Sequence, residues 1–76
     1  MATKAFDPDG YARKVQEYLG TAEAKRRWRE YRSGRGWSWE RFVAESVMFV
    51  TRLIVYERIA AVTDKLLGRP EGAWHA

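Results

Sequence analysis

The 76-residue chain contains no cysteine, one histidine and two prolines. Without cysteine it has neither a disulfide framework nor a thiolate zinc site. The single histidine, His75, is next to the last residue, so no Ser or Cys has an imidazole base nearby in sequence and no nucleophilic triad is expected. A phosphate-binding Gly-rich loop is also missing: Ser33-Gly34-Arg35-Gly36 lacks the Lys-Ser/Thr ending and follows a helical pattern instead of a strand. Nor is there a long hydrophobic run. The most apolar stretch, Ser46 to Tyr56, is interrupted by Arg52 and followed by Glu57 and Arg58, whereas a membrane span needs about 20 uncharged residues. The first residues lack the apolar core of a signal peptide, so the expected compartment is the cytoplasm.

What is present is the composition of a folded protein, 46% hydrophobic and 32% charged. A chain this short covers only roughly 60% of the surface its unfolded form exposes, and a partner subunit is the usual remedy when disulfides and metals are missing. No cofactor or metal is expected.

Glycines divide the chain into three predicted helices, making an all-α fold of two short helices packed on one long C-terminal helix, completed by oligomerisation. The first spans about 8–19: Asp7 can cap it, Pro8 stands at its first position, Phe6 and Tyr11 occupy hydrophobic-staple positions, and Gly20 suits a left-handed closing residue. The second spans about 22–32, capped by Thr21 and ended by the Ser33–Gly36 tract, read as a loop. The third spans about 39–67, with Ser38 as its cap, because no Gly or Pro intervenes before Gly68. Residues 69–76, including Trp74, are expected to form a flexible tail.

A helix over 39–67 would be on the order of 40 Å long, more than a chain with a radius of gyration of roughly 11 Å can enclose. It carries two apolar seams that do not coincide. Trp39, Phe42, Val43, Val47, Val50, Leu53 and Ile54 share a face suited to the two short helices. Met48, Val55, Ile59, Val62 and Leu66 form a second seam at helix-pairing spacing. The second seam is the expected interface of a homo-oligomer, most simply a dimer. Each of its side chains would contribute roughly 1.5 to 3 kcal/mol when covered.

Charge is local. Between Arg13 and Arg41 there are nine Lys or Arg and four Glu, while the remainder has five basic and six acidic residues. In the second helix Lys25, Arg29 and Arg32 recur at i, i+4 and i+7, with Arg26 at the border of the stripe and Arg35 just beyond it. Guanidiniums in a row suit phosphates, and Trp37 could stack on an unpaired base. An acidic protein or an anionic lipid surface could use the same stripe, and a solvated face that keeps a small oligomer soluble is the plainest alternative. A helix-turn-helix is a poor match, since Gln16 and Arg26 stand where a small and a branched apolar residue belong, so backbone contact without base readout is expected.

Carboxylates are the only plausible reactive set: Glu57 and Asp64, seven apart, lie in line with the first apolar face, where dimer symmetry could bring copies together as an acidic metal or proton site, but they are expected to escape to solvent or to pair with Arg58 and Lys65. The sequence therefore reads as a non-catalytic helical assembly module, with binding to the phosphate backbone as the alternative. No family resemblance contributes to either.

Overall fold

Asp7 precedes Pro8, whose missing N–H costs nothing in a first helical turn, and the chain enters helix α1 (Pro8–Leu19) there. Phe6 and Tyr11 stack at 5.4 Å across the entry, as the staple pattern predicts. Asp7 makes no side-chain capping bond, and Gly20 closes α1 in the right-handed region (φ −80°) instead of the left-handed one. Thr21 then caps α2 (Ala22–Arg35): its hydroxyl oxygen accepts from the Ala24 N–H and donates to the Tyr18 carbonyl. Such a bond network needs no longer link between α1 and α2.

The tract expected to be a loop is the last turn of α2. Ser33 is helical, its hydroxyl donating to the Arg29 carbonyl, and the helix closes only at Gly36, whose φ of 67° is easily reached without a Cβ. Ser38 caps α3 (Trp39–Thr51) by accepting from the Arg41 N–H, also as predicted.

The predicted helix over 39–67 is two helices. α3 ends at Thr51, residues 52–55 are non-helical, and α4 (Tyr56–Leu67) begins after Val55 and is closed by Gly68. Neither Gly nor Pro marks the break. Val50, Thr51, Ile54 and Val55 are all β-branched and disfavour helix, and the Thr51 hydroxyl bonds back to the Val47 carbonyl at the helix end. Arg52 turns the chain at φ 59°, the only non-glycine residue with positive φ among those described.

The computed structural model describes residues 5–70; the expected features at Trp74 and His75 and most of the predicted 69–76 tail lie outside them. Among the described residues the fold is all-helical, with four helices and no strand. The bend folds α4 back so that α1, α3 and α4 each pack against the other two. Val15, Val43, Val47, Leu53 and Val62 form their shared core. α2 lies outside this trio, against α3 and α1. The described chain extends over 47 × 28 × 20 Å with a radius of gyration of 12.9 Å, elongated relative to the roughly 11 Å of a closely packed chain this long.

The bend also divides the second seam. Val62 is fully buried in the core, Ile59 and Leu66 are half-buried against it, and only Met48 and Val55 stay exposed. The continuous helix-pairing stripe expected from Met48 to Leu66 does not exist. Ile54, assigned to the face that receives the short helices, instead stands 89% exposed at the corner between α3 and α4.

Candidate nucleic-acid interface

Helix α2 has a composition unlike that of the others: six Lys or Arg against two Glu in fourteen residues, a balance of +4. That equals the net charge of the whole chain, so the other 62 residues hold eight cations and eight carboxylates and sum to zero. Of the fourteen, Ala24 alone is buried. A helix with a single buried residue is held by its rim, and in α2 the rim is aromatic. Trp28 meets the Trp39 ring at 5.2 Å and Phe42 at 5.4 Å, and Tyr31 meets Trp37 at 4.7 Å and Phe42 at 6.1 Å. Phe42, itself buried, is the element of α3 on which α2 rests.

With the aromatic side of α2 facing α3, the predicted stripe points away. Lys25, Arg26, Arg29, Arg32 and Arg35 are all exposed. Lys25 and Arg29 form no ion pair or ring contact with any described residue, and Arg32 lies 5.8 Å over the Trp28 ring, its charge open to solvent on the other side. Arg26 is different, being paired with Glu30 at 2.8 Å. Both members are more than half exposed, so the pair contributes little stability and opens readily to a competing anion.

Arg35 folds over the Tyr31 ring at 4.8 Å and reaches Trp37 at 5.7 Å. The Trp37 ring also has Arg41 at 4.5 Å. The indole expected to receive a base is thus already engaged by two guanidiniums and a phenol ring. Two cations of this cluster, Arg41 and Arg27, have no place in the sequence pattern of the stripe. The sign for Arg41 is its spacing of four from Trp37. Arg27 pairs with Glu23 at 3.0 Å and lies 5.0 Å over Phe49; nothing in a one-dimensional pattern joins residues 27 and 49. The Tyr18 phenol, and after it Glu23, raise the Arg27 guanidinium above its usual pKa, which changes nothing at neutral pH because the group is charged throughout.

Below this cluster a cleft of about 240 Å³ opens between α2 and α3, with Tyr31, Arg27, Arg35, Glu45 and Phe49 among its walls. A larger groove of about 660 Å³ lies at the start of α1, where Arg13, Lys14 and Arg58 face Asp7 and Glu17. Its charges are mixed in sign, so it lacks the electrostatic bias of the α2 face.

The two aligned carboxylates both lie on α4, two turns apart, in different surroundings. Glu57 is exposed, whereas Asp64 is buried and held by Arg69 at 3.0 Å, with Glu40 on the other side of the same guanidinium at 3.4 Å. Neither expected partner takes Asp64: Lys65 pairs with Asp9, and Arg58 lies over the Phe6 ring. This is a clasp joining the end of α4 to the start of α3. Among the described residues no three His, Asp or Glu come together in a metal-binding group, and no helix is long and apolar enough to cross a membrane. Set against known protein families, curated proteins and solved structures, the chain matches none of them.

Proposed function

We propose that this protein binds the phosphate backbone of nucleic acid through the outward face of α2, without reading base sequence. The observation that carries this is the coincidence of the chain's entire net charge with its least buried helix. Lys25, Arg29 and Arg32 extend over about 10 Å of that helix, at 1.5 Å per residue, and have no carboxylate partner among the described residues. Contacts from such groups to phosphates fix position and carry no sequence information. α2 carries no Asn or Gln with which to address adenine, and Trp37 is occupied by its own neighbours.

The test is the salt dependence of binding, followed by anisotropy of a labelled duplex and a labelled single strand. Binding should weaken steeply as salt rises, and Arg29→Ala with Arg32→Ala should lower the log–log slope by about two, roughly 0.9 per phosphate contact on duplex DNA, with helical content unchanged. No association with either probe at low salt removes the proposal.

A second role, as a non-catalytic interaction module, is favoured by a separate observation. Met48, Phe49, Ile54, Val55 and Tyr56, within nine residues around the α3–α4 corner, are 40%, 57%, 89%, 43% and 50% exposed. Five large apolar side chains exposed in so short a span suit a protein surface.

A further inference from the structure

We infer that the α3–α4 corner pairs with the same corner of a second copy of this chain about a two-fold axis, Arg52 of each copy facing Glu57 of the other. The inference deepens the interaction-module role and is independent of nucleic-acid binding by α2. It rests on three features of the corner.

The first is its apolar content. Ile54, Val55 and Tyr56 form an uninterrupted exposed run at the tip, where burial would be easiest if a helix continued and covered them. The second is the backbone. Arg52 holds φ 59°, a conformation that costs an L-residue with a Cβ free energy and that glycine would adopt freely. Arg52, which makes the turn, and Ile54, Val55 and Tyr56 after it are all exposed. Residues kept in such conformations concentrate where a surface has work beyond folding.

The third is charge, and it selects the occupant. Arg52 and Glu57 bracket the exposed residues Ile54 to Tyr56 in sequence, both are exposed, and neither forms an ion pair with any described residue. An interface with two-fold symmetry must be self-complementary: whatever residue i offers, residue j of the other copy must accept, and the reverse. A tip of apolar residues between one cation and one carboxylate meets that condition when a second copy is turned against it. Each Arg52 then meets a Glu57, twice per dimer, with the apolar residues between. A uniformly acidic partner would leave Glu57 opposed by like charge, and a uniformly basic one would do the same to Arg52. Five part-exposed side chains fall short of the roughly 800 Å² that each partner of a standard interface buries, so the dimer is a weak one that forms as concentration rises.

Sedimentation equilibrium from low to high micromolar protein tests this, with far-ultraviolet circular dichroism to confirm the fold of each variant. The wild-type mass should rise towards that of a dimer, and Ile54→Asp should hold it at the monomer with an unchanged spectrum. Arg52→Glu alone and Glu57→Arg alone should each weaken association about tenfold, because each places like charges across both contacts. An equimolar mixture of these two variants restores both opposite-charge pairs and should recover wild-type association to within about twofold. Failure of the mixture to recover overturns the two-fold pairing. A wild-type monomer at every concentration overturns the second copy as occupant; if a hydrophobic dye still binds and is released by Ile54→Asp, an interaction face survives without it, and if no dye binds the interaction-module role fails as well.

Discussion

The trio α1, α3 and α4 and the single helix α2 divide the labour of this protein along physical lines. The trio contains six of the eight buried hydrophobic residues, Leu53 at the α3–α4 corner adds a seventh, and the sequence outside α2 sums to no net charge. α2 contributes Ala24 to the buried set and the whole of the net charge. Burial needs apolar faces that water does not reach, whereas a cationic stripe needs side chains that water and counterions do reach. Placing the two on separate elements lets each be strong, and aromatic contacts through Phe42 hold them together with little shared core.

The joint is therefore where the division is most easily broken. Phe42→Ala should cost about 3–5 kcal/mol, by opening a cavity in α3 and removing the ring on which Trp28 and Tyr31 rest. Against a total of about 4–11 kcal/mol for a chain of this size, that is a large fraction. Chemical denaturation measures the loss, and amide exchange should show α2 losing protection before the trio does. Equal loss of protection in all four helices would mean that α2 belongs to the same cooperative unit.

Local chemistry made much of this legible in the sequence. Thr21 and Ser38 as caps, Pro8 at the start of α1, the Phe6–Tyr11 staple and the outward stripe of Lys25, Arg29 and Arg32 depend on residues a few positions apart, and all are where the pattern puts them. The corner was not legible, for a reason that is also local. A helix break without Gly or Pro rests on the summed reluctance of β-branched residues, which is small at each position and was outweighed by the absence of punctuation. The sign was present in another form: two apolar seams out of register on one presumed helix. Such an offset arises either from two interfaces on a straight rod or from one core met twice by a bent chain. Val62 in the core and Ile54 in water show the second. Arg27 over Phe49 and Glu40 on Arg69 were likewise hidden, because each depends on where separate helices come to rest.

The two capped helices offer a finer comparison at matched chemistry. Thr21 and Ser38 each accept one backbone N–H, at 3.2 and 3.1 Å, and replacing such a cap by Ala costs about 1 kcal/mol. Ser38 starts a core helix, so Ser38→Ala should lower global stability by that amount. Thr21 starts a helix that rests on the trio by its rim. Thr21→Ala should appear mainly as faster exchange of the first amides of α2, with a smaller change in the denaturation midpoint. Two equal shifts in midpoint would show that α2 is as firmly coupled as α3.

The smallest effect expected is also the one with opposite consequences for folding and assembly. Arg52→Gly removes a Cβ from the left-handed region, and the folded monomer should gain up to about 1 kcal/mol, less whatever the more flexible glycine adds to the freedom of the unfolded chain. A thermal melt at low protein concentration, where no dimer forms, reads this gain directly. The same change deletes the cation opposite Glu57, so association at high concentration should weaken even as the monomer strengthens. A residue kept only because the turn tolerates it would show the gain in stability with association unchanged, and a residue that the turn itself requires would show a loss. The predicted combination, greater stability with weaker pairing, is what a strained backbone position retained for its side chain should produce.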